Sequence, residues 1–379
     1  MLHRYLSAGG KVKVTQRQAY FGVKRVLLGF FSILAIIASF HLLAAHAGEK
    51  CPNTSPKIAK DTEKLFAVIS VSSKSVSLHI GRTISEPFGS TVMPIVMESL
   101  SNPLGTKIFT NAPIKNQDFV NLLLSITQLK AIALKTVQED SLYTVLSSSI
   151  SSWEGSKKLA AEIEETGLAK KVVSVSEVEE GQYALLAMSS DPRQLNESLL
   201  IDVGSGRTKF STLFIQRNKH PDMRVVSMDG ISAIAHRAKI NEGTFIEGLK
   251  KEGHLFSKEI NENAEANPSW GRGTVILTGG IPYAMGLHSG APSNTRFIKL
   301  EQKQIFQFIQ AVQKCKSVDD LFPETDLAQL FTKDQLLTGA TVINSLQQAL
   351  LLEKTVYLSL NVPAWQLMLG KSLSSQSSK

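Results

Sequence analysis

The chain has 379 residues, of which 43% are hydrophobic and 20% are charged, a composition typical of a globular protein with one large or two medium-sized cores. The formal net charge is +8, but the first 47 residues contain six of the 41 basic residues and no acidic residue. The remaining 35 basic and 33 acidic residues nearly balance, so the composition argues against a nucleic-acid-binding protein. The eight histidines and two cysteines show no zinc-site spacing.

Residues 1–47 have the features of a signal peptide or a membrane anchor. Basic residues precede the uncharged run Val26–Ala45, which is followed by His46 and Ala47 to give a small-x-small cleavage pattern. The run is long enough for a spanning helix of about 20 residues, whereas the cleavage pattern favours a signal that is removed. Under either interpretation the basic flank places the rest of the chain outside the cytoplasm. We therefore expect a periplasmic protein or one anchored in the inner membrane through residues 26–45.

A polar linker, residues 48–62, precedes a first predicted α/β domain, residues 63–190. An exported chain could join Cys51 and Cys315 in a disulfide or carry both as free thiols. The predicted elements of the first domain, in order, are a hairpin over 65–80, a β-rich region to Phe109, a helix over 116–135 capped by Asn116, a strand over 141–146, a helix over 156–165 that Gly167 ends, a strand over 171–175, and a helix to Met188 that opens with a capping box of Ser176 and Glu179.

A second predicted α/β domain, residues 191–373, opens with the sequence LLIDVGSGRTKF at Leu199–Phe210. Residues 374–379 are too polar to pack and are predicted to be disordered. The further elements predicted in this domain are a strand over 223–227, helices between 231 and 264, a strand over 274–278 that ends in Gly279 and Gly280, a helix over 301–315, a long helix over 334–353, a strand over 355–360, and a last helix from Pro363 to Leu369.

The sequence around Asp202 predicts a strand, a tight turn and a second strand. Gly204 and Gly206 allow the backbone to approach a ligand closely with its N–H groups exposed. An aspartate at the end of a strand can hold a metal ion or a water molecule beside a phosphate. Asp and Gly are also ordinary turn residues, so this hairpin alone does not establish a site.

The order of three such segments is more specific than any one of them. A strand, a small polar turn and a strand at 65–81 come first, the Asp202 hairpin comes second, and TVILTGG at 274–280 comes third. This order resembles the exopolyphosphatase and guanosine pentaphosphate phosphohydrolase family over residues 65–373. The resemblance implies a two-domain, actin-like (ribonuclease H-like) α/β fold of the actin and sugar-kinase superfold. It also implies a phosphorylated or polyanionic ligand and, if the protein is active, Mg²⁺.

The resemblance assigns roles to individual residues. Glu180 or Glu179 takes the place of the carboxylate that activates the attacking water, although Glu179 is already explained as a helix cap. Asp202 takes the place of the catalytic hairpin acid and would be the metal ligand. The positions implied for phosphate binding are Ser73, Lys74, Ser75, Gly204, Ser205, Gly206, Arg207, Thr208, Gly279 and Gly280.

Several functional groups of the family pattern are replaced in this sequence. The aspartate of the first hairpin is Ser70, and the arginine of a Thr-Ala-x-Arg segment is missing from residues 148–151. The serine and glutamate of the DxGGGSTE pattern are Arg207 and Lys209. Loss of one such group typically costs on the order of 10² in rate. Lys74, Arg207 and Lys209 could replace the charge of a metal ion, or they could be ordinary solvated residues on turns.

Three hypotheses follow from these observations. The first is an exported or membrane-anchored pseudoenzyme that binds a phosphorylated ligand or serves as a scaffold for an envelope protein. The second is an active, divergent phosphohydrolase that uses Glu180 and Asp202 on polyphosphate or a phosphorylated nucleotide. The third is an actin-like, membrane-associated assembly protein, and a homodimer is compatible with each of them. A structure would test the premise that Ser70, Glu180, Asp202 and Gly279 line one cleft.

Overall fold

The computed structural model describes residues 65–86, 89–110, 113–189, 192–215, 222–241, 243–291, 297–323, 327, 331–359 and 364–376. They belong to one compact unit, Thr62–Lys379. The predicted leader or anchor, the linker and Cys51 lie outside these residues. Within the described ranges, no helix is both long enough and apolar enough to cross a membrane.

The first sheet has five strands in the order β3-β2-β1-β4-β5. Strand β1 pairs in parallel with β4, and β4 pairs in parallel with β5, whereas β1–β2 and β2–β3 are antiparallel. The strands are β1 (Leu65–Val71), β2 (Ser75–Glu86), β3 (Gly89–Ser101), β4 (Leu142–Leu146) and β5 (Val172–Ser174). The helices of this part are α1 (Gly105–Thr110), α2 (Asn116–Ala133), α3 (Ser148–Ser151), α4 (Ser156–Glu165) and α5 (Glu177–Met188).

The second sheet has six strands in the order β10-β11-β9-β6-β7-β8, with β11–β9 and β9–β6 parallel and the other pairs antiparallel. Its strands are β6 (Ser198–Val203), β7 (Arg207–Phe214), β8 (Asp222–Asp229), β9 (Thr274–Thr278), β10 (Phe297–Leu300) and β11 (Thr355–Ser359). The accompanying helices are α6 (Pro192–Glu197), α7 (Ile231–Ile240), α8 (Phe245–Ala266), α9 (Gly280–His288), α10 (Gln302–Lys314), α11 (Val318–Leu321), α12 (Lys333–Leu346) and α13 (Ala364–Gln376).

Side chains from both sheets share one hydrophobic cluster. Phe66 and Val68 of β1 lie in the same buried cluster as Leu200 of β6 and Leu213 of β7. Helices α5 and α13 contribute to it, the latter through residues that include the buried Leu367. Each sheet also has a separate core on its other face. Because apolar side chains join the two sheets below their strand ends, the loops at those ends are held close together.

Most predicted elements are present, many with ends shifted by one or two residues, and the following differences have structural consequences. The region before Phe109 ends in helix α1, because Asn102 Oδ1 accepts the Leu104 N–H and its amide donates to the Ser72 carbonyl, which ends β3. Asn116 is the first helical residue of α2; Lys115 occupies the N-cap position without a side-chain capping bond, and its N–H donates to Asp118 Oδ2. The long helix α12 becomes a π-helical turn at Gln347–Leu351. The last helix continues to Gln376, well beyond its predicted end.

Candidate functional site

Loops from the two sheets enclose a cavity of about 200 Å³. One wall is the β1–β2 turn, residues 72–75, and the opposite wall is the β6–β7 turn, residues 204–206. The remaining wall comes from the starts of α3, α7, α9 and α13, from Phe331 and from Gln335. The cavity therefore lies where the ends of strands from both sheets meet, the usual position of ligand sites in α/β proteins.

The two hairpin turns contact each other through their side chains. The Ser73 and Ser205 hydroxyl oxygens lie 3.0 Å apart. Each turn is also closed internally, since Ser72 N–H donates to the Ser75 carbonyl and Gly204 N–H donates to the Arg207 carbonyl. The hairpins therefore face a common space.

Glu180 lies in the first turn of α5 and is 3% exposed. Its Oε1 accepts the Ser148 N–H at 2.6 Å, and its Oε2 accepts the Ser148 hydroxyl at 2.8 Å. The Lys209 ammonium lies 2.5 Å from the same Oε2. Both carboxylate oxygens are therefore engaged by the protein, and the group has the environment of one partner in a buried ion pair.

Lys209 lies between two carboxylates. It faces Glu180 across the cavity floor, and it is the register partner of Asp202 across β6 and β7. Burial disfavours the Lys209 ammonium, but the charges of Glu180 and Asp202 outweigh burial and hold its pKa above the ordinary value. Burial also raises the pKa of Asp202, against the opposing charge of Lys209 and together with the like charge of Glu180.

Glu179 is not part of the cavity. Its Oε2 accepts the backbone N–H and the hydroxyl of Ser176, and the Ser176 hydroxyl accepts the Glu179 N–H. This reciprocal capping box satisfies two amides at the start of α5. Of the two glutamates proposed as a base from the sequence, Glu180 alone lines the cavity.

The three cations predicted near the turns have different environments. Arg207 donates to Glu177 at 2.8 Å and to Asp229 at 2.7 Å, so its charge is compensated at the cavity rim. Lys74 forms no ion pair with any described residue, and its ammonium lies 3.3 Å from the centre of the Phe331 ring. Burial lowers the pKa of Lys74 to about 7. None of the three is simply a solvated turn residue.

Thr208, Gly279 and Ser70 lie behind the cavity wall. The other phosphate-binding residues predicted from the sequence, from Ser73 to Gly280, line the cavity. Gly279 has φ +105°, and a Cβ there would lie 2.4 Å from the Val203 carbonyl oxygen and 2.9 Å from Asp202 Oδ1. Ser70 is 1% exposed, and its hydroxyl has no hydrogen-bond partner among the described residues. Of the four residues predicted to line one cleft, Glu180 and Asp202 line the cavity, whereas Ser70 and Gly279 lie behind its wall.

Backbone amides without partners surround the cavity. The N–H groups of Ser73 and Lys74 in the first turn, and of Ser205 and Gly206 in the second, donate to no described residue. The amides of Gly280 and Ile281 at the start of α9 are also unpaired within the described chain. Amides at turns and helix starts carry partial positive charge, and together they form a suitable environment for an oxyanion.

Some residues of the site could not be recognised in the sequence. Ser148 lies in the segment where the family pattern has an arginine. Its role in holding Glu180 depends on the contact between α3 and α5, which no sequence pattern shows. Phe331, Gln335 and Gln366 carry no motif. Trp365, which also lines the cavity, carries no motif either. No local signal distinguishes these residues from ordinary helix starts.

The donor set does not fit a divalent cation. Among the described residues, no group of three or more His, Cys, Asp or Glu side chains is placed to hold a metal ion. The two carboxylates of the cavity, Glu180 and Asp202, already interact with the Lys209 ammonium. Mg²⁺ requires oxygen ligands in a near-octahedral arrangement, and the positive charge of the Lys209 ammonium between the two carboxylates opposes a second cation there.

Comparison with known proteins gives similarity at the level of structure. No protein-family model and no curated protein matches the sequence. A Ppx/GppA family member from Aquifex aeolicus is 19% identical with a TM-score of 0.60, covering 83% of this chain and 98% of that one. An exopolyphosphatase from Cytophaga hutchinsonii is 13% identical with a TM-score of 0.63, covering 82% and 98%. The predicted resemblance is confirmed for the fold, which is the two-sheet, actin-like architecture of these proteins.

Proposed function

We propose that this chain is a divergent Ppx/GppA protein whose catalytic site has become a binding site for a phosphorylated or otherwise polyanionic ligand. In this proposal the leader directs the folded part to the periplasm or anchors it at the inner membrane. The protein then acts as a pseudoenzyme, a receptor or scaffold rather than a hydrolase.

The observation that carries the proposal is the set of unpaired amides around one cavity. Six N–H groups, on Ser73, Lys74, Ser205, Gly206, Gly280 and Ile281, have no acceptor in the described chain. A phosphoryl group offers acceptor oxygens on several sides, so one ligand could satisfy amides from both turns and from α9. Lys74 adds a cation that no described carboxylate compensates.

The state of Glu180 argues against rapid hydrolysis. A general base must accept a proton from water, and here both oxygens of Glu180 accept hydrogen bonds from Ser148 or contact Lys209. Breaking a buried pair costs several kcal/mol, so the carboxylate is not available at low cost. An active phosphohydrolase, the alternative reading, would require Lys209 to leave Glu180 and a metal ion to take its place.

Binding can be measured on the full chain, purified in detergent, by titration calorimetry with pyrophosphate. Trp365 lines the cavity and gives a second readout, since its fluorescence should change on binding and Trp365→Phe should abolish that change. Lys74→Met should weaken binding by about tenfold, the typical value of a charge-assisted contact. Lys258→Met, on the exposed side of α8, is the matched control and should bind like the wild type. Absence of binding by the wild-type protein would overturn the proposal.

Catalysis and location need separate experiments. With Mg²⁺ and polyphosphate or guanosine pentaphosphate, we expect little phosphate release and no effect of Glu180→Gln on it. Rapid turnover that this substitution abolishes would establish the enzyme instead. A C-terminal reporter that is active only outside the cytoplasm should be active in cells, whereas a reporter active only inside would refute export.

A further inference from the structure

Phe331 lies between the first hairpin and the start of α9. The Lys74 ammonium contacts one face of its ring, 3.3 Å from the ring centre. At Gly280, a Cβ would lie 2.7 Å from the Phe331 Cζ atom, so the ring edge packs directly against this glycine. The ring therefore fills the space between two of the anion-binding segments of the cavity.

This position divides the groups that could contact a ligand. The first turn, which carries the amides of Ser73 and Lys74, meets one face of the ring through the Lys74 ammonium, and the start of α9, which carries the amides of Gly280 and Ile281, meets the ring edge at Gly280. A ligand with several linked phosphoryl groups would meet the ring if it bridged the Lys74 ammonium and Gly280 directly. A compact anion held by the two hairpin turns, residues 72–75 and 204–206, does not meet this obstacle.

The size of the cavity leads to the same conclusion. Its volume of about 200 Å³ lies below the range of roughly 300–1,000 Å³ that is usual for pockets holding drug-sized ligands. A nucleotide or a folded-in polyphosphate chain would need more space. A single phosphoryl group, or two linked ones, would be accommodated.

We infer that Phe331 is a specificity-determining residue that restricts this site to small oxyanions of the orthophosphate and pyrophosphate class and excludes long phosphate chains. The inference rests on the proposed anion-binding function and adds its ligand class. The ring acts by volume, and it also holds the Lys74 ammonium by a cation–π contact.

The test compares ligands of different length on the full chain. Dissociation constants are measured for orthophosphate, pyrophosphate and long-chain polyphosphate, the last expressed per chain end. The wild-type protein should bind pyrophosphate at least about tenfold more tightly than polyphosphate. Phe331→Ala should remove this difference by tightening polyphosphate binding, and Phe331→Val, which removes less volume, should remove part of it. Phe306→Ala, an exposed phenylalanine of α10, is the matched control and should keep the wild-type ratio.

The outcomes separate the two proposals. If the wild type binds all three anions equally, or if both Phe331 variants are folded and keep the wild-type ratio, Phe331 is not the determinant although anion binding stands. If the wild type binds nothing and Phe331→Ala binds anions, the ring closes the site instead of selecting short anions, and both proposals fail as stated. If neither the wild type nor either variant binds any of these anions, both proposals fail. Thermal unfolding shows whether each variant is folded. If Phe331→Ala does not fold, the comparison is made with Phe331→Val.

Discussion

The hydroxyl groups of Ser73 and Ser205 lie 3.0 Å apart, although 132 residues separate them along the chain. Each serine belongs to a turn between two antiparallel strands, and each turn belongs to a different sheet. Their contact places the two hairpin turns on opposite walls of one cavity.

Lys209 should be essential for stability because it compensates Glu180. Lys209→Met leaves the Glu180 carboxylate buried without its cation, and we expect a loss of about 3–5 kcal/mol in the free energy of unfolding. Adding Glu180→Gln to this variant removes the uncompensated charge and should restore most of the loss. Urea denaturation of the single and double variants measures the coupling. Additive effects of the two substitutions would contradict a direct pair.

Replacing Lys209 with an acid should create a requirement for a cation. Lys209→Glu places a third carboxylate beside Glu180 and Asp202, and their repulsion should lower the melting temperature in EDTA. Mg²⁺ should then raise the melting temperature of this variant and leave that of the wild type unchanged, since three carboxylates suit a divalent ion. Equal responses of the two proteins to Mg²⁺ would show that Lys209 does not take the place of a metal ion.

Anion binding should weaken as the pH rises through about 7. Burial lowers the pKa of Lys74 to about 7, so its ammonium is present below that pH and is lost above it. Sulfate is the suitable probe because it keeps its own charge over this range. Its affinity should fall by up to about tenfold in total above pH 7 and then level off, the same loss that is expected of Lys74→Met. Lys74→Arg stays charged and should give a flat profile, so a persistent slope in this variant would assign the pH dependence to another group.

Gly279 should tolerate no side chain. Its φ of +105° is strained for other residues, and a Cβ would collide with the Val203 carbonyl oxygen. We expect Gly279→Ala to cost about 1–3 kcal/mol or more, as measured by thermal unfolding. Gly273→Ala is the control, since an added Cβ there meets no atom within 4 Å. Similar melting temperatures for the two variants would contradict the described backbone.

His79 should make the protein sensitive to acid. The side chain is buried on β2, neither ring nitrogen has a partner among the described residues, and burial lowers its pKa to about 3. Between about pH 6.5 and 3 the unfolded chain therefore binds a proton that the folded chain does not, so stability falls as the pH falls. His79→Leu should reduce this dependence, whereas His254→Leu, at an exposed position of α8, should not. Chemical denaturation at several pH values tests both.

The sequence by itself determined the local elements of this protein. The capping box of Ser176 and Glu179, the glycine turn after Asp202 and the apolar spacing of α2 all act over a few residues, so they can be read without knowing the fold. The order of the two hairpins and the later glycine pair also pointed to the correct superfold. These features are local, or depend on order alone.

The tertiary structure alone decided which charges meet. Glu179 and Glu180 are equivalent in the sequence, but only Glu180 enters the cavity, because it lies one residue further around α5. Lys209 interacts with Glu180, and Phe331 contacts Lys74, only because the packing of helices between two sheets brings distant segments within a few ångströms. Such contacts depend on the relative positions of whole elements, and no periodicity within a segment encodes them.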